Sequence, residues 1–258
     1  MTITVGQIYR YPVKGLSAQA LPSVDLAPGQ GLPEDRRFAI MHGASAFNPN
    51  EPEWQPKSNF VVLSRNDRLA ALDTEYDAAT TALTIRRGGR QVARGQIGTS
   101  VGRGLIDQFL AAYLKGDIPG TPRLVEAPGI VFSDVRDHWV SIVTAASAHD
   151  LERVVKEPVK PLRFRPNLVI EGVAPWEESG WVGSTLRIGA VRLEVVTLIN
   201  RCAAINVEPG VGGQALNLLL ALERGYGHRH CGVYAQVVSG GRVTAGDILQ
   251  VEQPPAGP

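Results

Sequence analysis

The chain has 258 residues, with 26 Lys and Arg against 25 Asp and Glu. Its formal net charge of +1 lacks the basic excess of a nucleic-acid-binding protein. Two cysteines, Cys202 and Cys231, are too few for a stapled secreted scaffold, although one bridge between them stays open.

The start, MTITVGQIYRYPVKG, alternates apolar and polar residues without a charged opening or a continuous apolar core, so it does not read as a signal peptide. In an extended ribbon Ile3, Val5, Tyr9 and Tyr11 fall on one side, and Pro12 marks its edge. The short apolar runs Phe38 to Met41 and Phe60 to Leu63 read as buried strands. Ala82 to Arg86 alternates up to the turn Gly88–Gly89, a hairpin signal. Leu105, Ile106, Phe109, Leu110 and Tyr113 recur at helical spacing, with Gly116 placed to cap the end.

The loop-rich stretch 116–129 marks a boundary, giving expected units 1–118 and 119–253 with a flexible tail, PPAGP, at 254–258. A second helix is expected from Ser147, whose hydroxyl can cap it, with Leu151, Val154 and Val155 on its apolar face. A third is expected from Gln214 to Arg224, stopping at Gly225. Further strands are expected at Asn167 to Ile170, in a hairpin from Thr185 to Val196 turning near Gly189, at Gly232 to Val238, and at Ile248 to Val251. Many short strands with few helices point to a mainly β (α+β) fold with a β-barrel core. No window approaches the ~18 apolar residues of a membrane span. The expectation is a cytoplasmic protein with neither nucleic acid nor membrane as partner.

Chemistry concentrates at Asn200-Arg201-Cys202, directly after an apolar stretch. A free thiol titrates at about 8.5, and a neighbouring cation or metal lowers it. Taken alone, Cys202 reads as an inert buried thiol; metal ligand and nucleophile remain the alternatives. Basic residues sit at strand ends: Lys14 in YPVKG, Arg36 and Arg37 in GLPEDRRF, Arg65 in LSRND, Arg165 in RFRPN. Converging, they would hold an anion such as a phosphate; singly, each reads as solvated. His228, His230 and Cys231 lack the companions of a zinc site. No phosphate-binding P-loop, serine-hydrolase elbow or dinucleotide-binding glycine pattern is present.

The order of the segments IYRYPVKGLSAQAL, GLPEDRRF, RFRPNLVIEG, WEESGW, LRIGAVRLEVV, NRCAAINVEPGVG and GHRHCGVYAQVVSGGRVTAGD resembles the MOSC-domain family over nearly the whole chain. The resemblance implies a MOSC-type β-barrel with an N-terminal MOSC β-barrel domain packed on it. It implies the molybdenum cofactor (molybdopterin carrying molybdenum) as ligand, with Cys202 as the protein ligand to the metal. Lys14, Gly15, Arg36, Arg65, Ser133, Arg165, Asn167, Asn200, Arg201 and Tyr234 match cofactor-contacting positions. A soft thiolate suits a metal already held by a dithiolene.

Gly15 stands where the family commonly has serine. Val135 and Arg136 do not supply the hydroxyls of the amidoxime-reducing members. Those members imply an oxidoreductase acting on small N-oxygenated compounds, with Cys202 and Asp134 catalytic and Asp134 as proton donor. The alternatives are a cofactor carrier or sulfur-handling module, and a different ligand such as pyridoxal phosphate. Reduction consumes electrons, and two cysteines cannot furnish a four-thiolate iron–sulfur cluster, so a separate electron-transfer protein or reductase is expected as partner.

Overall fold

The computed structural model describes residues 2–253; the expected flexible tail 254–258 lies outside the described residues. The chain opens with strands β1 (Thr4–Arg10), β2 (Gln19–Leu21), β3 (Ser23–Leu26) and β4 (Phe38–Met41). The hairpin pair β5 (Leu72–Asp77) and β6 (Ala82–Arg87) continues into β7 (Arg90–Gln96) across the Gly88–Gly89 turn. Helix α1 (Ser100–Tyr113) and β8 (Arg123–Glu126) follow. The second half holds β9 (Val140–Thr144), the short helices α2 (Ala145–Asp150) and α3 (Glu152–Val155), and β10 (Leu168–Glu171). It ends with β11 (Thr185–Ile188), β12 (Val191–Asn200), α4 (Leu218–Tyr226), β13 (His230–Ser239), β14 (Gly241–Thr244) and β15 (Leu249–Glu252).

The fold is mostly β with few helices. One eight-stranded sheet runs β15-β11-β12-β13-β9-β10-β1-β2. Only β9 and β10 pair in parallel, and α2 and α3 make the crossover between them, as parallel neighbours require. The closed barrel expected from the sequence is not formed by continuous ladders. β15 ends the sheet, and β1 meets the chain before it only through the bridge Thr4–Ile248 and backbone bonds such as Val5 N–H to Asp247 O at 2.9 Å. Three of the first four strands pair with partners far along the chain: β1 with β10, β3 with β14, and β4 with β8.

Four expectations shift. The face of β1 changes because the register slips between Val5 and Gln7, so Val5 and Ile8 are buried while Tyr9 is half-exposed. One extra residue inverts the alternation, as a bulge does. Phe60 to Leu63 is buried but makes no strand; it touches β4 through the bridge Met41–Phe60 and the bond from Val61 N–H to Ile40 O. Helix α2 is capped by Thr144, whose hydroxyl accepts from Ser147 N–H, while Ser147 turns its own hydroxyl inward. Helix α4 starts later than expected, capped by Asn217, and runs through Gly225 to end at Gly227 in the left-handed conformation.

The sheet interior is lined by Val5, Ile8, Ile142, Leu168, Leu193 and Val233. A second core gathers Phe38, Leu72, Leu83, Ile106 and Leu110 under α1. A third joins Val143, Leu151, Phe164, Leu218 and Leu222 around α2 and α4. Among the described residues no helix is long and apolar enough to cross a membrane.

Candidate functional site

A cleft of ≈ 380 Å³ is lined by residues from all along the chain. Of the residues expected to contact a cofactor or act in catalysis, all line it except Arg65, which is exposed while its neighbour Ser64 takes part; Arg37, His228, His230 and Cys231 do not line it. Cys202 follows the end of β12 and opens a short 3-10 turn over Ala203–Asn206. Because β12 ends at Asn200, strand alternation does not force Arg201 and Cys202 onto opposite faces, and both reach the cleft. Both cysteines are free: Cys202 is half-buried, and Cys231 is buried, its thiol pushed up to about 12 by desolvation.

Arg201 is held from behind. Its Nε donates to Cys231 O at 2.7 Å and its Nη1 to Phe164 O at 2.8 Å, with the guanidinium over the Phe164 ring. Its Nη2 is buried and finds no hydrogen-bond partner among the described residues. Burial lowers its affinity for its proton. Gly232, at φ +81°, leaves room beside this atom; a Cβ there would stand 3.1 Å from Nη2 and 2.3 Å from Ile142 O.

Arg165 and Arg36 both adopt left-handed backbone, φ +52° and +50°. Arg165 donates from Nη1 to Leu16 O at 2.9 Å and forms no ion pair with any described carboxylate. Desolvation pulls it down to about 10. Arg36 pairs with Asp35 and donates from Nη2 to Arg165 O at 3.2 Å. An isolated buried cation is costly, so this wall favours an anion.

Lys14 is buried, donating to Phe132 O at 2.9 Å and to Asp134 Oδ1 at 2.5 Å. Desolvation lowers its pKa against the pull of Asp134. Lys57, which no sequence signal marked in its Pro-rich loop, reaches Asp134 Oδ2 at 3.4 Å and also faces Cys202. Burial works against its charge, but Asp134 and Cys202 outweigh that and raise its pKa. For Asp134, desolvation works upward, but Lys14, Lys57 and Arg36 together hold its carboxyl well below the usual range. Asp134 is therefore an ion-pair acceptor at neutral pH. That corrects its expected role as proton donor.

Other residues are spent on the fold. Asn167 Oδ1 accepts from Ser141 N–H at 3.0 Å and Ser141 Oγ at 2.8 Å, and Nδ2 donates to Tyr9 O at 3.2 Å. It clamps β9, β10 and β1 and keeps one amide hydrogen for a ligand. Ser133 Oγ donates to Val135 O. Gly15 sits at φ +86°, where a Cβ would come 3.0 Å from Val61 O, so this backbone disfavours the serine common in relatives. Asn200 lies at the end of β12 opposite His230, and Tyr234 on β13 packs 5.7 Å from Trp139, its hydroxyl pKa raised by burial. Among the described residues no three His, Cys, Asp or Glu side chains gather as a metal site.

Residues 127–250 match the MOSC domain, and residues 2–110 match the MOSC N-terminal beta barrel domain. The chain belongs to the MOSC family. This MOSC protein is 25% identical over 224 residues to a molybdenum cofactor sulfurase of Caenorhabditis elegans, covering 85% of the present chain and 31% of the relative. It is 24% identical over 238 residues to mitochondrial amidoxime-reducing component 1 of Mus musculus, covering 81% of the present chain and 67% of that protein. The chain thus spans about a third of the sulfurase. Among solved structures, the YUAD protein of Bacillus subtilis is similar at 14% identity, over 98% of this chain and 97% of that one, with a TM-score of 0.48.

Proposed function

We propose that the cleft holds the molybdenum cofactor and that the protein is an oxidoreductase reducing small N-hydroxylated compounds. The observation that carries this reading is the donor set. A half-buried thiol stands at a wall of half-buried guanidiniums, among them Arg201 with Nη2 buried and unpartnered and Arg165 without a carboxylate. A soft sulfur ligand beside an anion-seeking wall fits a group that carries both a thiophilic metal and a phosphate. In this reading Cys202 is the protein ligand to molybdenum, and Arg165, Arg36 and Arg201 face the anionic end. Asn200 and Tyr234 flank the ligand from β12 and β13.

When bound, the cofactor supplies two-electron redox chemistry. The net reaction is R–NHOH + 2e⁻ + 2H⁺ → R–NH₂ + H₂O, so both protons and electrons must be delivered. Lys57 Nζ holds protons at the cleft beside Cys202 and Asp134. Asp134 keeps its charge and positions the two ammonium groups. The electrons come from a redox partner outside the 258 residues, which hold no dinucleotide-binding glycine pattern.

The test is molybdenum content after expression in a cofactor-competent host, for the wild type, Cys202→Ala and Cys231→Ala. Metal in the wild type and Cys231→Ala, with loss in Cys202→Ala, supports the reading; equal metal in all three refutes it. Loaded protein is then given benzamidoxime with a chemical electron donor, and with NADH alone. Turnover with the donor and none with NADH alone is expected. Metal retention with no turnover would instead favour a cofactor carrier or sulfur-handling module, a role consistent with the sulfurase likeness.

A further inference from the structure

Tyr11 lies immediately after β1 and is completely buried. The guanidinium carbon of Arg165 stands 4.2 Å from its ring centroid and that of Arg36 stands 4.7 Å away. Its backbone and hydroxyl are tied to the same two segments. Tyr11 N–H donates to Asp35 Oδ1 at 2.7 Å, Tyr11 O accepts from Arg36 N–H at 2.7 Å, and the hydroxyl donates to Pro166 O at 3.2 Å. Asp35 in turn pairs with Arg36. Two arginines in uncommon left-handed backbone therefore share one aromatic ring.

Two like charges brought together in a desolvated wall repel and lose hydration. An aromatic face offsets both, because its negative quadrupole attracts a cation without neutralising it. Asp35 already balances Arg36 from one side, so a second carboxylate against Arg165 would quench the positive field that an incoming anion needs. The ring holds Arg165 beside Arg36 without adding that charge. We infer that Tyr11 is a positioning residue whose ring holds Arg36 and Arg165 together as one anion receptor in the cleft. This rests on reading the cleft as the site of an anionic cofactor. It goes further by assigning a function to a side chain that touches the cleft only through the arginines it orders.

The test uses the full chain and inorganic phosphate as probe, followed by isothermal titration calorimetry. Position 11 is changed to Phe and then to mono-, di- and trifluorinated phenylalanines, which keep the shape while draining charge from the ring face. Tyr11→Phe is expected to bind phosphate within about twofold of the wild type, and the trifluorinated residue about tenfold more weakly, with a graded fall between them. In parallel, the Nε–H resonances of Arg36 and Arg165 should show upfield ring-current shifts in the wild type and Tyr11→Phe. In Tyr11→Leu those shifts should collapse. A ring that only fills space would give flat affinities along the fluorinated series, and that result overturns the inference while leaving the cofactor reading standing.

Arg165→Ala separates the two. It should abolish phosphate binding; if it binds as the wild type does, the anion wall is misassigned and both readings fall. Unshifted arginine resonances in the wild type would overturn the inference whether or not Tyr11→Leu folds.

Discussion

Asp134→Asn removes one charge from the pair that keeps Lys14 buried, and its cost can be bracketed from the geometry. Breaking a fully buried pair costs about 3–5 kcal/mol, whereas an exposed pair is worth about 0–1 kcal/mol. The Lys14 side chain is 7% exposed and that of Asp134 is 46%, so water already screens one partner and the cost falls between these limits. Lys14 keeps its bond to Phe132 O, which limits the loss. The expected destabilisation is about 2 kcal/mol at pH 7.

Urea unfolding of both proteins from pH 7 down to pH 2 measures it. The folded carboxyl of Asp134 titrates below its ordinary value of 3.8. Its contribution is fully present above that value and is lost as the pH falls toward the folded one, so the gap between the two proteins should narrow in acid. Equal stability at pH 7, or a gap that widens in acid, would refute the ion-pair account.

Three further outcomes follow from buried groups. Gly232→Ala should cost about 2–5 kcal/mol in thermal or urea unfolding, because it adds strain at φ +81° to a contact of 2.3 Å with Ile142 O. Glu178 is fully buried, with Oε2 accepting from Thr144 and Ser147 and Oε1 unpartnered, and desolvation raises its pKa above the ordinary 4.5. The unfolded chain ionises this acid first, so wild-type stability should fall relative to Glu178→Gln as the pH rises above 4.5; a constant difference would contradict the raised pKa. A thiol reagent at pH 8 should modify Cys202 in the native protein and Cys231 only after unfolding; two fast thiols in the native state would refute the burial of Cys231.

Local signals read the hairpins well. Gly88–Gly89 and Gly189 lie at the turns they announced, because a left-handed backbone there is a short-range demand that glycine meets without strain. Patterns that depend on partners read less well. The alternation of β1 fails at a bulge set by its pairing with β10, and Ser147 is drawn from its expected capping role toward Glu178 and the Trp176 N–H. In the site, Lys14, Arg36 and Arg165 converge, whereas Arg65 does not line the cleft and Arg37 turns to Glu34 and Glu126. Lys57 and Tyr11 escaped notice for opposite reasons. A lysine in a proline-rich loop looks solvated, and a tyrosine in a strand looks like core; only the tertiary fold shows which charges each one faces.

The pairing of β1 has a consequence for how this chain is made. β1 emerges early from the ribosome, yet its main neighbour, β10, lies about 160 residues downstream, with Thr4 opposite Glu171. At synthesis rates of ~5–20 residues per second, that partner follows roughly 10–30 s later. β2 can pair with one side of β1 early, but its other side stays an open edge during this interval, with Val5 and Ile8 buried only in the finished fold. Arg165 and Asn167 just before β10, and Arg201, Cys202 and Tyr234 beyond it, line the cleft, so the site cannot assemble around a ligand until the second half has been translated.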